Sequence, residues 1–232
     1  MNKLVLASII SGLIGGIFWL IGDILIVGYD EYDIHDEKYF HIMDKNSGYT
    51  MFLEAKEKNL RYGAMCGQWS SPLLILAIYS VYHFMGRGIY AIIVSTFLLI
   101  GVCYSPLAHA VFYYTARISQ MRYHLYKNGY SMEDKFLKNL DLGHKKMVYS
   151  SWLPAITFTG IAWVLFALGL FLVPSKLPKI FVLLNPTCLS VIIGLISKKK
   201  TKIRHLIRGA TFNIATVIYS VSALIAYLNN PF

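Results

Sequence analysis

Asp23 and His109 are the two residues of this chain best suited to handle a proton, and both stand inside long apolar stretches. An imidazole with a carboxylate beside it can give and take a proton near neutral pH. A charged side chain at the centre of a bilayer costs roughly 2.5–3.5 kcal/mol on insertion scales, so such groups face the interior of a bundle and find partners there. The pair is therefore the candidate for proton-transfer catalysis. A candidate ligand-binding set surrounds it: Arg61, Gln68, Ser105, Tyr113, Arg117, Asn185 and Asn213. Ser105, His109, Tyr113 and Arg117 recur every four residues, which lines them along one helix face for three turns.

The elements that must position these groups are apolar runs. Six of them, at about 4–27, 60–83, 88–116, 147–173, 178–197 and 205–228, reach the roughly 20 residues that cross a 30 Å hydrocarbon core at about 1.5 Å per residue. The expected fold is all-α, a polytopic membrane bundle of six transmembrane helices. With 56% of its 232 residues hydrophobic and only 15% charged, the chain has no stretch left for a soluble domain, so residues 1–232 read as one membrane domain. The first run is too long for a signal-peptide core and lacks a small-residue cleavage pattern, so it is expected to remain as a helix. Ser8, Gly12 and Gly16 strip one face of that helix for close packing. Pro72, Pro106, Pro154 and Pro186 interrupt spans two to five, and a kink is expected at Pro106, whose ring frees the carbonyl near Val102. Loop one, from Gly28 to about Lys58, is expected to lie on the membrane surface with its last part, 51–59, helical. Loop three, Arg117 to Lys146, offers a helix start at Ser131-Met-Glu-Asp-Lys.

A net charge of +10 would suit nucleic acid, but the basic residues flank apolar helices, where they set orientation and meet anionic lipid headgroups. Membrane lipid is the expected partner. Loops one, three and five hold eighteen of the 22 lysines and arginines, which places both termini outside and the long loops in the cytoplasm of a multi-pass cell-membrane protein. In that orientation Asp23 ends span one at the level where span two supplies Arg61, Gln68, Ser70 and Ser71. Span four begins there with Tyr149, Ser150, Ser151 and Trp152, and span six adds Thr211 and Asn213. Asn185 sits nearer the middle. The simplest geometry is a polar pocket in the cytoplasmic half.

Other chemistry finds little support. Cys66, Cys103 and Cys188 each fall within a span and form no disulfide framework. His35-Asp36-Glu37 with His41 lacks the i, i+4 histidine pair of helical zinc sites and reads as a solvated loop, so no metal is expected. No phosphate-binding glycine loop, paired-cysteine motif or nucleophile elbow occurs, and no cofactor is implied.

Several short stretches together resemble a known family. Gly22-Asp23-Ile-Leu-Ile-Val-Gly28, Ser105-Pro-Leu-Ala-His109-Ala-Val-Phe-Tyr113-Tyr114, Asn185-Pro186 and Phe212-Asn213 are similar to the marked positions of an uncharacterised family of bacterial six-helix membrane proteins, a domain of unknown function. The resemblance would cover nearly the whole chain, and it implies a fold without an activity.

Three functions stay open on this reading. The first is a pocket that binds, with processing left open, a lipid-like or amphipathic small molecule. In it Asp23 and His109 handle protons, Arg61 and Arg117 hold an anionic headgroup, and Gln68, Tyr113 and Asn213 orient polar atoms. The alternatives are a proton-coupled carrier of a small solute and a membrane assembly or scaffold protein. A purely structural role is the competing account: Asp23 pairing with Arg61 or Arg117, and His109 bonding Ser105 or a carbonyl freed by Pro106. The sequence does not fix the oligomeric state.

Overall fold

A computed structural model of the chain describes residues 2–27, 52–53, 55–130, 135–196 and 209–230. Within them the fold is helical: α1 (Lys3–Val27), α2 (Glu57–Phe84), α3 (Ile89–Lys127), α4 (Lys135–Leu172), the single turn α5 (Phe181–Leu184), α6 (Pro186–Ile196) and α7 (Thr211–Asn229). Five of these helices, α1 to α4 and α7, are long and apolar enough to cross a membrane. The protein is thus a multi-pass helical membrane protein with five continuous candidate spans among the described residues.

The expected fifth span, 178–197, is not one continuous helix among the described residues. Asn185 is extended (φ −67°, ψ 149°) because the ring of the following Pro186 crowds the helical conformation, and the run divides into α5 and the 11-residue α6. The 11 described residues of α6 rise about 16 Å. Asn185 instead caps α6: its Oδ1 accepts from the Cys188 amide at 3.1 Å, while Pro186 fills the first helical position, where no amide donor is needed.

Loop three is also shorter than its polar composition suggests. The α3 helix continues through Arg117 to Lys127, and α4 starts at Lys135, because polar residues at helical spacing still bury one side: Ser119 and Arg122 are almost fully buried. The Ser131 helix start, the loop-five basic cluster, and His35 and His41 lie outside the described residues.

Helix pairing rests on a few close approaches. A Cβ on Gly63 would lie 2.8 Å from the Gly22 carbonyl oxygen, so α1 and α2 touch backbone to backbone only because both positions are glycine. At the other end of the same pair the Ser8 hydroxyl donates to the Leu76 carbonyl at 2.9 Å and accepts from the Ser80 amide at 2.7 Å. The α7 helix runs antiparallel to α1: the Asn2 amide donates to the Tyr227 hydroxyl at 2.7 Å, and Asn213 reaches Asp23. Both described chain ends therefore lie together, at the terminal end of the bundle. The turn between α2 and α3 and the C-terminus of α4 join them there, since the Lys176 amide donates to the Phe84 carbonyl at 2.9 Å.

The main core fills the terminal half. Trp163 meets Tyr219 at 4.7 Å and Phe166 at 5.3 Å, both edge to face, and Phe181 closes on Tyr219 at 5.9 Å. Toward the far end the packing changes, and there the polar residues gather.

Candidate functional site

Asp23 lies on the last turns of α1 and His109 in the middle of α3, and the pairing of α1, α2 and α3 brings them face to face. Asp23 Oδ1 is 3.6 Å from His109 Nε2. The ring is seated by α2: a Cβ built on Gly67 would overlap the imidazole, so the bare backbone of Gly67 provides the space that His109 fills. On its other nitrogen, His109 Nδ1 lies 2.9 Å from the Ser105 carbonyl oxygen. A carbonyl can only accept, so a ring proton is assigned to Nδ1, and Nε2 is the nitrogen that faces the carboxylate. Two acceptors facing each other repel, and the contact becomes favourable when a hydrogen lies between them. His109 Nε2 is buried without a hydrogen-bond partner among the described residues.

Three further side chains fix this pair. Asn213 Nδ2, on α7, donates to Asp23 Oδ2 at 2.6 Å and to the Trp19 carbonyl at 3.1 Å, tying α7 to α1. Trp19 sits one turn before Asp23, and its indole Nε1 donates to Ser105 Oγ at 2.9 Å while its ring stacks on His109 at 6.4 Å. Ser105, Trp19 and Asn213 are nearly sealed from the surface. Asp23 keeps more exposure than His109, 28% against 12% of the side chain, so the carboxylate is the partner that looks outward.

It looks into a cavity of about 330 Å3. Trp19 and Asp23 of α1, Ser105, Ala108, His109 and Phe112 of α3, and Trp152, Ala155, Ile156 and Thr159 of α4 form three of its walls. Thr211, Phe212 and Asn213 of α7 form the fourth, with Gly209 at the margin. Trp152 and Ile156 also stand on the outer apolar surface, 39% and 44% exposed, which puts part of the rim on the outer face of α4. A smaller void of about 60 Å3 lies deeper, sharing Trp19, Thr159 and Phe212 with the first and otherwise mostly apolar.

The expected residues divide into three groups. Asp23, Ser105, His109 and Asn213 come together at the cavity, and Trp152 and Thr211, which sequence placed at the same level, line it too. Tyr113, Arg61 and Arg117 instead form a separate polar chain farther along α2 and α3. There the Tyr113 hydroxyl donates to Glu57 Oε1 at 3.0 Å, Arg61 Nε lies 3.8 Å from the same oxygen, and Arg117 donates to Gln120 at 2.7 Å. Gln120 in turn donates to the carbonyls of Phe52 and Ala55, which holds the entry to α2 against α3. Gln68 and Asn185 join neither group: Gln68 is exposed on the outer side of α2, and Asn185 is the cap of α6. Asp23 does not pair with Arg61 or Arg117. Sequence reasoning missed Gly67, Phe112 and Thr159, which carry no charge; the spacing Gly67-Gln-Trp-Ser-Ser71 within a span was the available signal for a helix approached closely at that level. Among the described residues no three His, Cys, Asp or Glu side chains converge as metal ligands.

The chain belongs to a family of unknown function (DUF6796), whose model matches residues 1–230. No curated protein and no solved structure matches it.

Proposed function

We propose that this family member binds a lipid-like or amphipathic small molecule between α1, α3, α4 and α7, with Asp23 and His109 sharing a proton beside the polar end of that molecule. The observation that carries the reading is the carboxylate–imidazole pair at the edge of a cavity of about 330 Å3 whose remaining walls are largely aromatic and aliphatic. Ligand cavities run from roughly 300 to 1,000 Å3, apolar in the main with a few convergent polar groups. A molecule with one polar end and an apolar body fits such a lining. The rim at Trp152 and Ile156 gives entry from the lipid side, the natural route for a ligand that partitions into the bilayer. Ser105 and Asn213 act by orienting the pair.

The test is native mass spectrometry of the purified protein released from nanodiscs. The expected result is a retained amphiphile on the native protein, with occupancy several-fold lower in Ala155→Phe, which fills the space from its α4 wall. No adduct on the native protein, or equal occupancy in both, overturns the reading. The proposal includes an orientation with both termini outside and the cavity in the cytoplasmic half, drawn from the lysine and arginine distribution. A reporter fused after Phe232 that is active only in the cytoplasm would reverse it.

A further inference from the structure

We propose, resting on the cavity being an amphiphile site, that the polar end of its ligand is a cationic ammonium group received by Asp23 Oδ1, with the rings of His109, Trp19 and Phe212 around it. The sign of charge is the deciding point. Among the described residues that line the cavity there is no lysine or arginine, and Asp23 is the only acid. An anionic headgroup would meet that carboxylate with no lysine or arginine among these residues to offset it. The two arginines that the sequence suggested for such a headgroup are engaged elsewhere, Arg61 by Glu57 and Arg117 by Gln120, and neither lines the cavity.

The hydrogen bonds point the same way. Asn213 supplies its two amide hydrogens to Asp23 Oδ2 and the Trp19 carbonyl, so Oδ1 keeps its acceptor capacity. His109 Nε2 faces Oδ1 but is itself sealed from the cavity, so the carboxylate is the group that a ligand reaches. Oδ1 stands 3.6 Å from Nε2, and the larger exposure belongs to the carboxylate. A protonated amine brings N–H donors and positive charge together to that place. The aromatic share of the lining suits the same ligand, because ring faces attract an ammonium and its attached methylene groups, while the apolar void beyond Trp19 and Phe212 accepts hydrocarbon.

Three ligands with the same tail separate charge from hydrophobicity: octylammonium, octan-1-ol and octanoate, titrated at neutral pH against protein in dodecyl maltoside with tryptophan emission as the readout. Octylammonium should saturate at a concentration about tenfold or more below octan-1-ol, the difference expected for one charge-assisted hydrogen bond, and octanoate should bind worst. Asp23→Asn, which preserves shape and the Asn213 contact, should bring octylammonium to the level of octan-1-ol and leave octan-1-ol unchanged. Asp23→Glu, which keeps the charge, should keep the order of preference even where the fit is poorer. Preference for octanoate, or equal binding of all three, overturns the ammonium assignment while leaving an amphiphile site in place. Saturable binding of none of the three overturns the amphiphile site itself.

Discussion

At the terminal end, Trp163, Phe166, Phe181 and Tyr219 interlock edge to face, and the first turn of α1 is clasped to the last turn of α7 through Asn2 and Tyr227. At the far end the same helices part around Trp19 and Phe212, two rings 6.2 Å apart that border open space. Both regions use aromatic residues on the packed helices. The difference lies in what each ring touches: in the terminal half rings meet rings, whereas in the far half Trp19 spends its indole hydrogen on Ser105 and its face on His109. Dense packing at one end lets the other end keep a cavity, because helices fixed at the terminal end need not collapse at the far end.

That comparison breaks first at Phe166, which is fully buried. Truncating a buried phenylalanine removes its contacts and leaves a void, at a cost of about 3–5 kcal/mol. Phe166→Ala should lower the thermal midpoint in detergent more than Gly67→Ala or Lys176→Met does, while the fraction that stays folded keeps its amphiphile occupancy in native mass spectra. Loss of occupancy in step with stability would show that the two ends are not separable.

Gly67→Ala sharpens the comparison from the opposite side. The added methyl meets the imidazole ring and must displace it, an overpacking cost of about 1–3 kcal/mol. Occupancy should fall more than the midpoint does, since the displaced ring is the one facing Asp23. Gly160→Ala is the control, because a Cβ there meets nothing within 4 Å. If both variants behave alike, His109 is not held by the bare backbone of α2.

How much of the molecule was legible in the sequence depends on what each residue needed to announce itself. Five spans declare themselves by length, because an apolar run of that extent has few other uses. The run at 178–197 is equally apolar, yet Asn185-Pro186 breaks it, and an asparagine followed by a proline reads as a cap and first helical position as much as a polar site. The bounds expected for loop three, Arg117 to Lys146, are too wide because hydropathy averages over all faces of a helix, while Ser119 and Arg122 show that one face there is buried. In the site, Asp23, Ser105, His109 and Asn213 stood out as polar groups in apolar helices, and the helical repeat at Ser105 and His109 aligned two of them. That same repeat carried Tyr113 and Arg117 into the expectation, since periodicity gives a direction around the helix but no level along it. One and two turns further on, the face meets Glu57 and Gln120 instead of Asp23. Gly67 and Thr159 were silent because their contribution is space and shape, which only the approach of another helix reveals.

The smallest expected effect belongs to the terminal end and concerns charge. His83 is buried there between Arg87, whose Nε reaches His83 Nδ1 at 3.0 Å, and Lys176, whose Nζ lies 3.0 Å from His83 Nε2. Arg87 holds a left-handed backbone (φ 60°) just after Gly86, its carbonyl accepting from the Tyr82 hydroxyl at 2.9 Å, so the turn between α2 and α3 presents this cationic edge at some local strain. Burial, and after it the charge of Arg87, pulls the Lys176 ammonium below the ordinary lysine value of about 10.4. A base whose affinity for protons is lower folded than unfolded penalises the folded state while both forms are protonated, and the penalty fades as pH rises through the window between the two values. The native protein should therefore gain on Lys176→Met as the pH is raised from neutral toward about 10.4. Because Lys176 is largely exposed and screened by solvent, the gain should stay below about 1 kcal/mol. Thermal midpoints of the two proteins recorded across that range measure it. A native protein that loses ground to Lys176→Met on the alkaline side would mean that the lysine is stabilised as a cation, and that the terminal end, like the far one, is organised around a charge pair.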